Sequence, residues 1–232
     1  YCVSSGGQGL QKEVSFLTQC QPINVKDIYW VVDDDESWVS EPLEGNAYNE
    51  LAPLNHMVNL RSLDLRYNNL TGHIPPLWKL KGLETLQLGG NDLEGISFNN
   101  ENDLPNLRQL SLWGNQIENF DFETVYELSN LSVLELQNNQ IKGAMPNGIS
   151  KLRNLSHLNI DGNELTDLPG DICDLNLDFY GDSDGWRYFE AKGNRICPED
   201  YPYCMDGGIM GEQVCPYCGG EPGGVELWGE CY

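Results

Sequence analysis

The chain has 232 residues, 36 of them acidic and 13 basic, for a formal net charge of −23. A field of that sign repels phosphate, which excludes nucleic acid and anionic membrane surfaces as partners and leaves basic partners or divalent cations. No apolar run approaches the roughly 18 to 20 residues of a membrane-spanning helix, and the length suffices for one sizeable domain.

The first 50 residues are the least regular. Val14, Phe16 and Leu17 near Cys20 read as a short amphipathic piece, and Ile28, Trp30, Val31 and Val32 as a strand covering whatever follows. Trp30 and Trp38 are expected in the core of an N-terminal cap spanning residues 1–59. Acidic residues crowd this part: Asp27, Asp33, Asp34, Asp35, Glu36, Glu41, Glu44 and Glu50 occur with no Lys or Arg between 27 and 60.

From residue 60 one pattern repeats. It reads Leu60-Leu63-Leu65-Asn68-Leu70, Leu83-Leu86-Leu88-Asn91-Leu93, Leu107-Leu110-Leu112-Asn115-Ile117, Leu131-Leu134-Leu136-Asn139-Ile141 and Leu155-Leu158-Ile160-Asn163-Leu165, with starts 23, 24, 24 and 24 residues apart. A degenerate sixth copy reads Trp186-Phe189-Ala191-Asn194-Ile196. Alternation within a short strand points the Leu-x-Leu side chains inward and the intervening residues outward. One copy cannot bury its apolar edge, so stacking neighbours must complete the core. The asparagines fall just past each strand, where the chain turns inward. A stacked column of amides there can satisfy stranded backbone groups, because Asn carries both donors and an acceptor.

This spacing resembles the leucine-rich repeat family, whose period is 20 to 29 residues. Leu70-Thr-Gly-His-Ile-Pro75 and Ile141-Lys-Gly-Ala-Met-Pro146 are similar to the extension of plant-type extracellular repeats, whereas Glu94-Gly-Ile-Ser-Phe98, Glu118-Asn-Phe-Asp-Phe122 and Leu165-Thr-Asp-Leu-Pro169 depart from it. The resemblance, to receptor ectodomains and polygalacturonase-inhibitor-like proteins, implies an α/β repeat. Its expected form is a right-handed solenoid of about six repeats over residues 60–196, with a parallel sheet on the concave face. The convex side should mix second strands with irregular or 3₁₀ turns. Residues 1–59 and 197–232 are then cysteine-stapled caps.

Cysteines and sequons place the chain outside the cell. Cys2, Cys20, Cys173, Cys197, Cys204, Cys215, Cys218 and Cys231 are an even number loaded at the two ends, as expected of disulfides closing the caps. Asn69-Leu-Thr, Asn130-Leu-Ser and Asn154-Leu-Ser are acceptors for N-glycosylation. The opening Tyr1-Cys2 lacks a methionine and a signal peptide. The chain therefore reads as a mature or trimmed ectodomain, secreted or at the cell surface.

On the expected concave face the outward residues include Arg61, Asp64, Arg66, Tyr67, Glu84, Gly89, Gly90, Arg108, Trp113, Gly114, Glu135, His157, Asp161, Arg187, Tyr188, Glu190 and Lys192. Charges balance there while the whole chain is acidic. Arginine and aromatic residues dominate binding hot spots, so Arg61, Arg66, Tyr67, Arg108, Trp113, His157 and Tyr188 are the candidate ligand-binding residues. The three glycines should leave a shallow notch beside Trp113, and cross-strand pairs such as Arg66 with Glu84 should brace the sheet. His157 should face Asp161.

Other motifs weigh less. Asp178, Asp182 and Asp184 precede Gly185 at a spacing that could wrap Ca²⁺, without the first and last ligands of an EF-hand loop. Cys215-Pro-Tyr-Cys218 is identical to the glutaredoxin active-site tetrapeptide, but it sits in a Gly/Pro-rich tail rather than a βαβ unit. A structural disulfide is its expected state. The three histidines lie in no catalytic motif. The expectation is a recognition module without catalysis, binding a protein, peptide or glycan on its concave face. The alternative is a matrix or surface-appendage component assembling through caps, disulfides or calcium.

Overall fold

The structure is a computed structural model that describes residues 29–31, 44–46, 58–77, 79–96, 104–177, 179, 188–214, 217–218, 221–222, 226–227 and 230–231. Strands follow in chain order: β1 (Tyr29–Val31), β2 (Glu44–Asn46), β3 (Ser62–Asp64), β4 (Asn69–Ile74), β5 (Thr85–Gln87), β6 (Asp92–Ile96), β7 (Gln109–Ser111), β8 (Val133–Glu135), β9 (Lys142–Ala144), β10 (His157–Asn159), β11 (Glu164–Asp167) and β12 (Tyr188–Glu190). One sheet runs β1-β3-β5-β7-β8-β10-β12. Each copy of the leucine pattern contributes one strand to it, parallel to its neighbours, and β1 closes the N-terminal edge in antiparallel register. The strand expected around residues 28–32 is therefore present, seated on the first repeat.

Alternation works as the pattern requires. Leu63, Leu65, Leu86, Leu88, Leu110, Leu112, Leu134, Leu136, Leu158 and Ile160 are fully buried. Each such side chain contributes about 1.5–3 kcal/mol of transfer free energy. They form one continuous core that extends through Phe189, Ala191 and Ile196 to Met210.

The asparagines form the expected column. Asn115 Nδ2 donates to Leu112 O at 2.8 Å in its own turn and to Leu88 O at 3.1 Å in the preceding one, while its Oδ1 accepts from Leu93 N at 3.0 Å. Asn91, Asn139, Asn163 and Asn194 repeat the arrangement. A further rung was not legible in sequence. Gln213, wholly buried, donates Nε2 to Ala191 O and Met210 O at 2.7 Å each, taking the place of the next asparagine inside the segment expected as a cap.

The convex side is mixed. β4, carrying Leu-Thr-Gly-His-Ile, pairs with β2 and β6, and β9 pairs with β11. Copy two pairs here through β6 although its extension departs from the motif. Copy three instead has the four-residue helix α1 (Phe122–Val125), capped by Asp121. Single 3₁₀ turns cover Ile149–Lys151 and Gly170–Asp174. Asp171 joins these two turns by accepting from Gly148 N, Ser150 N and Ser150 Oγ. Cys173 and Cys204 are bridged across 31 residues, and Cys197 is also disulfide-bonded. The side chains of Cys2, Cys20, Cys215, Cys218 and Cys231 lie outside the described residues.

Candidate ligand-binding face

Three outward rows cross the sheet: residues 62, 85, 109, 133, 157 and 188; then 64, 87, 111, 135, 159 and 190; then 66, 89, 113, 137, 161 and 192. The first two follow the strand register, and backbone hydrogen bonds carry the ladder on through the third. At the N-terminal end Arg61 Nη1 meets Glu84 Oε1 at 2.6 Å, with Arg108 Nε 3.8 Å from the other oxygen. Arg66 does not pair with Glu84 as expected. It turns back on its own strand and grips Asp64, with Nη2 2.7 Å from Oδ2 and Nε 3.0 Å from Oδ1. Residues two apart share a face, whereas Glu84 lies before β5, where its backbone N donates to Arg61 O. The two-point contact with Asp64 raises the Arg66 pKa.

The expected notch is filled. A Cβ at Gly89 would lie 2.3 Å from Trp113 Cε2, so the indole rests flat where Gly89 has no side chain. Tyr67 packs edge-on against that ring at 5.2 Å and remains 72% exposed. Just before the column asparagine the chain adopts positive φ in every repeat: Gly90, Gly114, Gly162 and Gly193 occupy that position elsewhere, with Asn138 in copy four. Tyr67 occupies it at φ 56°. A left-handed conformation costs a non-glycine residue about 1–2 kcal/mol, so an exposed aromatic is held here against backbone preference.

The C-terminal end differs. His157 packs edge-on against Tyr188 at 4.5 Å, and its Nδ1 lies 3.1 Å from Ser156 Oγ. It does not pair with Asp161, whose Oδ1 accepts from Lys192 N at 2.6 Å. Burial lowers the His157 pKa and raises those of Asp161 and Tyr188. Glu190 Oε2 accepts from Asn159 Nδ2 at 2.5 Å. Arg66, Tyr67 and Trp113 thus lie together past the ends of β3 and β7, Arg61 and Arg108 share Glu84 ahead of those strands, and His157 and Tyr188 form a third group. Glu135 on β8 stands between the first and the third. Arg187, Asp178, Asp182 and Asp184 lie outside the described residues.

Asn69, Asn130 and Asn154 are exposed. The amides of Asn130 and Asn154 each donate to a carbonyl of the preceding repeat, Pro105 O at 2.8 Å and Ser129 O at 2.9 Å. Cys197, Glu199 and Asp200 bring potential metal-ligand atoms within 4.8 Å of one another, but the Cys197 sulfur is committed to a disulfide and both carboxylates are exposed. Among the described residues no helix is long and apolar enough to cross a membrane.

Comparison with known proteins agrees with this geometry. The family description "Leucine rich repeat" matches residues 105–165, and "Leucine Rich repeats (2 copies)" matches 58–100 and 83–124. The chain is a leucine-rich repeat protein. A human serine/threonine-protein kinase 11-interacting protein is 49% identical over 53 residues, which is 22% of this chain and 5% of that protein. A leucine-rich repeat protein of Leptospira interrogans superposes with a TM-score of 0.52 at 30% identity, over 63% of this chain and 34% of that one. The plant peptide hormone receptor RGFR1 in complex with RGF2 superposes with a TM-score of 0.56 at 23% identity, over 72% of this chain and 25% of that one, a likeness of fold. This leucine-rich repeat chain spans a minor part of each.

Proposed function

We propose that this leucine-rich repeat protein is an extracellular recognition module that binds a protein or peptide partner on its concave face without catalysing a reaction. The observation that carries the reading is the Tyr67–Trp113 pair, an exposed aromatic surface on a glycine bed, held at Tyr67 by a strained backbone and adjoined by Arg66. Strain retained at an exposed side chain is a mark of function, and arginine with aromatics is the composition of binding hot spots. The same fold accompanies RGF2 in the plant receptor complex. Three exposed sequons and a disulfide between Cys173 and Cys204 support placement outside the cell. At Asn130 and Asn154 one amide hydrogen is held by the neighbouring repeat, and the other remains for a glycan.

Selection of ligands from a displayed peptide library, followed by affinity measurement on Trp113→Ala and Tyr67→Gly, tests the reading. Concave-face binders should weaken about tenfold or more on either substitution. Binders indifferent to both, with the variants folded, would overturn it.

A further inference from the structure

The aromatic cluster leaves a neighbouring row unexplained. β5, β7 and β8 set Gln87, Ser111 and Glu135 side by side in register, about 4.8 Å from strand to strand, and Gln137 follows two residues beyond Glu135. Ser111 is only 2% exposed and its Oγ has no hydrogen-bond partner, as is also true of Gln87 Oε1 and Gln137 Oε1. The Glu135 carboxylate forms no ion pair among the described residues: Arg66, whose charge it feels, is engaged by Asp64, and Arg61 and Arg108 by Glu84. Buried acceptors without donors are rare in folded proteins and call for a partner.

The chemistry of the row narrows that partner. The buried orphan atoms are all oxygens, and one carboxylate stands among them, so the guest that fits brings N–H donors and a positive charge. Calcium requires six to eight oxygens and is held by several carboxylates; here there is one. An ammonium offers three donors without a plane. A guanidinium offers five in a plane that also stacks on an aromatic face, and Trp113 stands two residues beyond Ser111 on the same face. We propose that Gln87, Ser111, Glu135 and Gln137, with Trp113, form a subsite for the guanidinium of an arginine side chain carried by the polypeptide partner. The inference rests on the reading that the concave face binds a polypeptide. Gln87, Gln137 and Trp113 are part-buried, so each keeps surface for the incoming group.

The test labels the tryptophan indoles with ¹⁵N, assigns Trp113 by Trp113→Phe, and titrates the whole chain with N-acetyl-arginine amide, N-acetyl-lysine amide, N-acetyl-citrulline amide and Ca²⁺ in turn. The arginine amide should shift the Trp113 resonance saturably, with citrulline, uncharged but of the same shape, at least about tenfold weaker. Glu135→Gln should abolish the difference between arginine and citrulline, and Ser111→Ala should weaken arginine severalfold, both with otherwise unchanged indole spectra. Equal response to arginine and citrulline, response to Ca²⁺ alone, or no saturable shift would overturn the proposal. If peptides bind through Trp113 but neither contain arginine nor compete with the arginine amide, this subsite fails while the concave-face reading stands. If no ligand depends on Trp113, the reading itself fails.

Discussion

Replacing Asn115 by Ala removes one rung of the amide column. Leu93 N loses its acceptor at 3.0 Å and is left buried without a partner, which costs about 1–3 kcal/mol. Leu88 O and Leu112 O each lose one donor but keep another, Asn91 Nδ2 at 2.9 Å and Asn139 Nδ2 at 3.0 Å. Each of those losses is a single net hydrogen bond, about 0.5–1.5 kcal/mol, for a total of roughly 2–6 kcal/mol. Asn115→Asp keeps the acceptor for Leu93 N but aims a carboxylate at two carbonyls. Burial there raises the folded-state pKa of the introduced carboxyl, so its contribution is intact below the unfolded value and lost as pH rises through the folded one. Urea unfolding followed by circular dichroism, with exposed Gln140→Ala as control, measures both effects. A cost for Asn115→Ala within about 0.5 kcal/mol of the control, or pH-independent behaviour of Asn115→Asp, would refute the role given to the column.

Joint replacement of Cys173 and Cys204 by Ser releases a constraint across 31 residues, and chain entropy sets the loss at about 3–4 kcal/mol in the same unfolding assay; a loss under about 1 kcal/mol contradicts it. Gly89→Ala places a Cβ 2.3 Å from the Trp113 ring, so the indole must leave its bed at a cost of about 1–3 kcal/mol, seen as a changed near-ultraviolet circular dichroism spectrum. An unchanged spectrum would show that the ring does not lie there. His157 is held below its ordinary pKa of 6.5 by burial, so the unfolded chain takes up the proton first and the fold loses stability as pH falls through that region. His157→Gln should flatten that slope in urea midpoints measured across it, and an unaltered slope would contradict the burial.

Much of this was legible because the repeat is a strict spacing rule. Leu60 to Leu165 fix which side chains point in, and Asn68 to Asn194 announce the column, since one physical requirement recurs in phase. Where a single residue settles a local contest, sequence gave little. Arg66 had Asp64 and Glu84 within reach, and only the offset of Glu84 before β5 decided for Asp64. The glycines near Trp113 were visible, but not that the indole itself would occupy the space they leave. Gln213 escaped notice because it lacks both the leucine pattern and the expected side chain. Its signal was an amide-bearing residue three positions after a buried Met210, where Asn194 follows Ala191. Gln87, Ser111 and Gln137 were unremarkable polar residues until burial showed their oxygens without donors.

Hydrogen exchange on the chain bound to a selected peptide tests the central claim most directly. The account predicts added protection at the backbone amides of 66–67, 89–90, 111–114 and 135–137, on the strands that carry Tyr67, Trp113 and Glu135, with the convex segments around Lys142–Ala144 and Gly170–Asp174 unchanged. Protection confined to the convex segments would contradict it.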